Sequence, residues 1–257
     1  MSNLIDMLEK AGDSTPGPMG FGPASGQRKS ATQMVLVVRV SSDLLSNPQG
    51  TEKLESDAIL IDTTIEEFKK ITENSGAQSH GIHCTEVTAS DASALVDSCC
   101  DFVVFESLQS EASVTNIDDI GIVVVISTDM DKETIRSLGM FPIDAALLRP
   151  PLVDLPLKFA DAARIQKLTR LVDKPVLVET PDGIDEHSIE VLRNIGVQGL
   201  IIDFVNASDL EKITETNEAI SKLKKIEPKA ARRNVLLPQL AVTDNLDPDP
   251  SEDEEIF

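Results

Sequence analysis

Eight short runs of aliphatic and β-branched residues recur along this sequence and constrain its fold more than any other feature. Stretches with helical periodicity or turn residues separate them, as expected for strands that alternate with helices. The runs are MVLVVRV (34–40), AILID (58–62), GIHCT (81–85), FVVFE (102–106), IVVVIS (122–127), AALLR (145–149), PVLVE (175–179) and GLIID (199–203). They begin about 24 residues apart, the length of one strand plus one crossover helix. Eight such units predict a closed barrel of parallel strands.

The segments between the runs predict the helices of this barrel. Apolar residues at helical spacing, preceded by capping residues, indicate helices over 64–74, 90–98, 154–172, 185–195 and 208–226. Within 154–172, Phe159 lies on the apolar stripe that should pack on the barrel. Met130 and Met140 flank a further helix and are interpreted as packing residues. Residues 107–119 and the segment after the first run have weaker helical patterns.

The two ends of the chain differ in composition from the barrel region. Residues 3–10 have an amphipathic helical pattern, and the residues up to 32 are rich in Gly, Pro and Ser, so we expect residues 1–32 to form a helix and a flexible arm. Residues 33–243 should form the barrel. Residues 244–257 contain seven acidic side chains and no basic one, which predicts a disordered acidic tail.

Alternation along each run predicts which side chains point toward the barrel axis. The helix-facing side of every strand must be apolar, so the other set of residues points inward. In the first run, Leu36, Val38 and Val40 form the outer set, which leaves Arg39 inside. The same argument places polar residues at the carboxyl end of every strand: Arg39, Asp62, His83 with Thr85, Glu106, Ser127, Arg149, Glu179 and Asp203.

The unit length, the eight repeats and the polar strand ends resemble the (βα)8 or TIM barrel, an α/β fold. The resemblance covers about residues 34–226 and is one of architecture. The segment KPVLVETPDGIDEHSIEVLRNIGVQGLIIDF (174–204) is similar to the later half of small-molecule barrel enzymes. The resemblance implies a site at the carboxyl ends of the strands, where the βα loops surround the mouth of the barrel.

Three interpretations of the inward polar residues are open. The first is a site for Mg²⁺ or Mn²⁺ built from hard oxygen ligands, namely Asp62, Glu106, Glu179 and Asp203. The second is metal-free acid and base chemistry, with proton-transfer candidates His83, Glu106, Glu179 and Asp203. In this interpretation an anionic substrate is bound by Arg39, Thr85, Ser127 and Arg149. In the third, the arginines and carboxylates pair with each other in a closed network that has only a structural role.

Charge and targeting signals exclude several classes of partner and compartment. The chain has 44 acidic and 23 basic side chains, a formal charge of −21, and such a surface repels nucleic acids and anionic membranes. The sequence has neither a signal-peptide pattern nor a membrane-spanning apolar stretch, so we expect a soluble cytoplasmic protein. The three cysteines, Cys84, Cys99 and Cys100, lack metal-ligand spacing and fit a reducing compartment.

Two functions follow from these observations. The first is a small-molecule enzyme or binder that acts on an anionic metabolite, a carboxylate or a phosphate, at the mouth of the barrel. The alternative is a catalytically silent barrel that serves as a scaffold or partner-binding protein. The sequence specifies neither the reaction nor the oligomeric state.

Overall fold

Eight parallel strands form a closed barrel in which each strand pairs with the next and the last pairs with the first. The computed structural model of the chain describes residues 2–12, 33–45, 54–72, 79–149, 156–180 and 184–223. The strands are β1 (Val35–Ser41), β2 (Ala58–Asp62), β3 (Ser79–Cys84), β4 (Phe102–Phe105), β5 (Gly121–Ser127), β6 (Ala145–Arg149), β7 (Val176–Thr180) and β8 (Gly199–Phe204). The predicted (βα)8 architecture is therefore confirmed.

Helices alternate with the strands along the chain. They are α1 (Asn3–Gly12), α2 (Ser42–Leu45), α3 (Ile65–Thr72), α4 (Ala89–Val96), α5 (Lys132–Met140), α6 (Phe159–Val172), α7 (Glu186–Asn194) and α8 (Asp209–Lys222). A 3-10 helix, Ala112–Asn116, lies between β4 and β5. Side-chain caps fix the beginnings of three helices, at Thr88, Asp131 and Asp185, because each cap accepts hydrogen bonds from the otherwise free N–H groups of the first turn. In the described part of the chain, no helix has the length and hydropathy needed to cross a membrane.

The strand residues divide into the two sets that the alternation predicts. The outer set, which includes Leu36, Val38 and Val40 of β1, packs with the helices in one apolar cluster. The inner set forms a second cluster along the barrel axis, with Val35 and Val37 of β1 packed among residues of other strands such as Leu60, Val104, Val125, Leu147 and Ile201. These aliphatic layers fill the barrel below the carboxyl ends of the strands. A ligand from solvent can therefore reach the barrel axis at the carboxyl end.

Helix α1 packs against the opposite, amino-terminal end of the barrel. Leu4 and Leu8 are fully buried in the inner cluster, and the Asp101 carboxylate accepts hydrogen bonds from the backbone N–H groups of Asn3 at 2.6 Å and Leu4 at 2.9 Å. A Cβ atom on Gly121 would lie 2.8 Å from Oγ of Ser2, so glycine is needed for this close approach. The sequence predicts the helix but not this packing, and residues 13–32 lie outside the described residues.

Two apolar residues are more exposed than the sequence analysis predicts. Helix α6 begins at Phe159, whose side chain is 90% exposed, and Met140 at the end of α5 is 83% exposed. The prediction that they pack on the barrel is wrong, because each lies in a terminal turn of its helix, beyond the stripe that faces the strands. The predicted acidic tail, 244–257, lies outside the described residues.

Candidate functional site

The predicted polar residues lie within the last three positions of their strands or, for Thr85 and Glu106, directly after them. Strand register sets their order around the mouth, with Arg39 opposite Asp203 and Ser127 opposite Arg149. In the same way Asp62 lies opposite His83. Residues far apart in sequence therefore come into contact.

The guanidinium group of Arg39 joins the carboxylates of two neighbouring strands. Its Nε donates to Oδ1 of Asp203 at 2.6 Å and its Nη2 donates to Oδ2 of Asp203 at 2.9 Å, which makes a bidentate pair. Its Nη1 donates to Oε1 of Glu179 at 2.8 Å. Bidentate pairs of this kind fix the plane of the guanidinium group as well as its position.

Arg149 continues the same pattern on the other side of Glu179. Its Nε donates to Oε2 of Glu179 at 2.7 Å and its Nη2 donates to Oε1 at 3.0 Å. Its Nη1 donates to Oε1 of Glu106 at 2.7 Å. Glu179, only 13% exposed at its side chain, therefore bridges the two arginines.

His83 lies between two carboxylates at the next position around the mouth. Its Nε2 is 3.0 Å from Oε1 of Glu106, and its Nδ1 is 3.6 Å from Oδ1 of Asp62. Both ring nitrogens are buried, and neither makes a well-directed hydrogen bond with the part of the chain that the structure describes. We call the resulting continuous set the mouth network: Asp203, Arg39, Glu179, Arg149, Glu106, His83 and Asp62.

The contacts within the mouth network stabilise its charges. Burial opposes the charge of Arg39, but the hydrogen bond to Asp203 and the charges of Glu179 and Asp203 outweigh it and raise the pKa of Arg39. The hydrogen bond to Glu179 is the main cause of a raised pKa for Arg149. Burial alone would raise the pKa of Glu106, but the hydrogen bond and the charge of Arg149 outweigh burial and lower this pKa.

Thr85 and Ser127 lie at the mouth without joining this network. Thr85 is exposed, and its backbone carbonyl accepts a hydrogen bond from the N–H of Ser107 at 2.8 Å. Ser127 is half-buried, and its Oγ accepts from the N–H of Asp129 at 3.3 Å.

The four carboxylates do not gather around one point. Glu179 and Asp203 are each bound to Arg39, and Glu106 is bound to Arg149. Among the described residues, no group of three or more His, Cys, Asp or Glu side chains is placed to hold a metal ion. In this arrangement Arg39, Arg149 and His83 lie between the predicted Mg²⁺ or Mn²⁺ ligands, which are Asp62, Glu106, Glu179 and Asp203.

An open cleft of about 510 Å³ lies beside the mouth network, over the ends of β1, β2 and β8. Three residues of the network, Arg39, Asp62 and Asp203, form its polar side. The other lining residues were missed by the sequence analysis: Ser41, Leu44, Phe204 and Val205. Their only sequence signal is that they end β1 and β8 or follow these strands, where βα loops begin.

The cysteines do not contribute to the mouth. Half-buried Cys84 packs on the outer apolar cluster, and burial raises its pKa to about 12. Cys100 is buried, and burial raises its pKa to about 12. Thiols in such surroundings are poor nucleophiles.

Comparisons with known proteins identify the architecture. No protein-family model matches the chain, and no curated protein matches it. Among solved structures, the chain is similar to the tryptophan synthase α-subunit of Pyrococcus furiosus. One variant of that subunit has a TM-score of 0.54 at 11% identity over 73% of this chain and 93% of that chain. A second variant has a TM-score of 0.56 at 10% identity over 74% and 97%.

The α-subunit from Campylobacter jejuni gives the same result, with a TM-score of 0.54 at 10% identity over 71% of this chain and 94% of that chain. At these identities the likeness shows the fold alone, which is the (βα)8 barrel. The fold specifies no activity for this chain.

Proposed function

We propose that this protein is a small-molecule enzyme or binder whose ligand is an anionic metabolite with a carboxylate or phosphate group. The observation that supports the proposal most directly is the position of the mouth network beside an open cleft at the carboxyl ends of the strands. Ligands of (βα)8 enzymes bind at this end of the barrel. The two arginines supply the positive charge that an anion needs.

Arg39 is the residue that we expect to contact the anion. It lines the cleft, and its orientation is fixed by three hydrogen bonds to Asp203 and Glu179. A guanidinium group has five N–H donors, so two remain for a ligand. Asp203 is the more exposed of the two partners, at 35% of its side chain against 13% for Glu179. An incoming anion would therefore compete mainly with Asp203.

His83 is the group that we propose for proton transfer. Glu106 contacts both His83 and Arg149, and the two ring nitrogens of His83 approach carboxylates on opposite sides. Because both ring nitrogens are buried, the imidazole would exchange a proton with a ligand in the cleft through Asp62, which lines the cleft and approaches Nδ1. Glu179 and Asp203 then position the arginines. The proposal assigns no step to Mg²⁺ or Mn²⁺, because three of the four carboxylates already bind guanidinium groups.

A specific observation favours the second candidate, a catalytically silent barrel that acts as a scaffold. The network has two arginines and four carboxylates, a formal charge of −2 with His83 neutral, and each arginine already has its carboxylate partners. A closed set of this kind can fill the top of the barrel without binding a ligand. The two candidate functions make different predictions for ligand binding by an Asp203→Asn variant.

The test is calorimetric titration of the full chain with phosphorylated and carboxylated metabolites, after a thermal-shift screen of the same panel. The proposal predicts specific binding that raises the melting temperature by mass action. Asp203→Asn should bind the ligand at least as tightly as the parent, because it removes a competing anion, and Arg39→Lys should bind it at least tenfold more weakly. Arg136→Lys, on the exposed face of α5, is the matched control. Absence of binding by the parent and by Asp203→Asn would favour the silent barrel.

A further inference from the structure

The element that connects β4 and β5 is shorter than the α-helices on either side of it. Residues 106–120, which connect the two strands, contain a five-residue 3-10 helix in place of an α-helix, whereas α4 precedes β4 and α5 follows β5. Each strand of a (βα)8 barrel needs a helix to cover its apolar outer face. Because the connecting element is short, a groove remains beside it, above strand residues that are nearly fully buried.

This apolar groove has a volume of about 190 Å³, and we call it the β4–β5 groove. Phe105 and Val124 form its floor, and both are nearly fully buried. Leu108 and Phe141 lie at its edges and are 45% and 42% exposed. Large apolar side chains that are exposed together around a groove mark an interaction surface.

An acidic cleft of about 240 Å³ adjoins this groove. The two share Thr115 in their linings. Among the described residues, no Lys or Arg lines the acidic cleft or the groove, and five carboxylates line the cleft: Asp6, Glu9, Asp118, Asp119 and Asp144. Asp119 already has an electrostatic partner, and Asp144 accepts a hydrogen bond from the N–H of Ile122. The sequence around the groove has the same bias, since residues 101–131 contain seven acidic side chains and no basic one.

We propose that the β4–β5 groove and the acidic cleft together bind an amphipathic, basic α-helix of a partner protein. The groove lies beside the short 3-10 helix, so the apolar face of a partner helix would cover Leu108 and Phe141. Its lysine or arginine side chains would then lie over Glu9 and Asp118. Helices with apolar residues at positions i, i+3, i+4 and i+7 bind grooves in this manner, and charge complementarity at the edge of the site sets their orientation.

Other occupants fit the surface less well. A second copy of this chain carries a formal charge of −21 and would bring the same carboxylates to the contact. An anionic lipid surface would be repelled by them as well. The interaction is independent of the mouth of the barrel, because none of the groove residues lines the mouth cleft.

The experiment uses the full chain and two synthetic 18-residue peptides, each labelled with a fluorophore and read by fluorescence anisotropy. One has leucine on one helical face and lysine on the other, and the matched peptide has glutamate in place of lysine. We expect the leucine–lysine peptide to bind and the leucine–glutamate peptide not to bind. A double variant, Leu108→Ser with Phe141→Ser, should weaken binding at least tenfold, because both side chains lose their apolar contact.

Further variants separate apolar from electrostatic contributions. Glu9→Gln with Asp118→Asn should weaken binding by roughly threefold to tenfold and reduce its dependence on salt. Val191→Ser, which changes a side chain of 40% exposure on α7, is the matched control and should leave affinity within twofold. All the substituted side chains are exposed, so the variants should fold, and their melting temperatures check this.

Two results would overturn the proposal. If the Leu108→Ser and Phe141→Ser variant binds the leucine–lysine peptide as tightly as the parent, the peptide recognises only the net charge of the protein. If sedimentation shows a dimer of the parent that this variant abolishes, the occupant of the groove is a second copy. A loss of peptide affinity in this variant, with a monomeric parent, supports the partner helix.

Discussion

Replacing Glu179 tests the energetic role of the mouth network most directly. Its carboxylate accepts three hydrogen bonds, one from Arg39 and two from Arg149, at 2.7 to 3.0 Å. Alanine at this position removes all three and leaves two guanidinium groups whose mutual repulsion is less well compensated. Arg39 would keep Asp203, and Arg149 would keep Glu106. The rest of the barrel should not need to change.

The expected loss of stability follows from burial. Removing one partner of a fully buried pair costs about 3 to 5 kcal/mol, and fully exposed pairs contribute about 0 to 1 kcal/mol. Glu179 and Arg39 are 13% and 20% exposed at their side chains, and Arg149 is 37% exposed. We therefore expect Glu179→Ala to lower the free energy of unfolding by about 3 kcal/mol. For a domain of this size that is a decrease of roughly 6 to 12 °C in melting temperature.

Urea denaturation followed by circular dichroism at 222 nm measures this loss. Glu179→Gln keeps the side-chain volume but not the charge, so it should lose nearly as much stability as the alanine variant. Glu215→Ala, on the exposed face of α8, is the control and should change the free energy of unfolding by less than about 0.5 kcal/mol. If Glu179→Ala is as stable as the parent or more so, the network makes no net contribution. The polar ring would then be kept for function at the cost of stability, as in working sites.

Three further predictions follow from other parts of the structure. Arg149 lowers the pKa of Glu106, so this carboxylate stabilises the fold above its ordinary pKa. That contribution disappears as the pH falls through the lowered pKa. In urea titrations between pH 7 and pH 3, the free energy of unfolding should therefore decrease less for Glu106→Gln than for the parent. A thiol reagent at pH 8 should modify Cys99 rapidly in the native protein, and Cys84 and Cys100 only after unfolding, because burial raises the pKa of both to about 12. Leu8→Ala should cost about 2 to 5 kcal/mol in urea denaturation because its side chain is fully buried, and a loss below 1 kcal/mol would show that α1 does not close the barrel.

The inward-facing residues could be predicted because two physical constraints act on every strand. One face must be apolar to pack on the helices, and the period of two then fixes the other face. Arg39, for example, follows Val35 and Val37 on the inner side, and both of these are buried in the inner cluster. The prediction needed no knowledge of the partners of Arg39.

The partners themselves could not be predicted from the sequence. Arg39 binds Asp203, which is 164 positions away, and it shares Glu179 with Arg149. Several other pairings of two arginines and four carboxylates satisfy the same alternation. The choice depends on strand register and side-chain conformation, and these determine that the carboxylates bind arginines rather than surround a metal ion.

The packing of α1 shows a different limit. Its amphipathic pattern predicts a helix with one apolar face, but every surface helix has this pattern. The informative residues are the small ones that it contacts, Gly121 and Gly199, which lie in other parts of the chain. A Cβ atom on Gly199 would lie 3.0 Å from Cδ2 of Leu8. Such complementarity becomes visible only when the barrel is assembled.

The pairing of β1 with β8 determines when this protein can complete its fold during synthesis. Leu36, Val38 and the rest of β1 emerge from the ribosome early, and the strand that pairs with one of their edges, Gly199–Phe204, is made more than 150 residues later. At about 5 to 20 residues per second, that interval lasts roughly 10 to 30 seconds. For that time an apolar strand has an unpaired edge, which is a template for association with other chains. The hydrogen bonds between Arg39 and Asp203 are therefore among the last contacts to form. Until its eighth strand is complete, a newly made chain is exposed to aggregation through this unpaired edge.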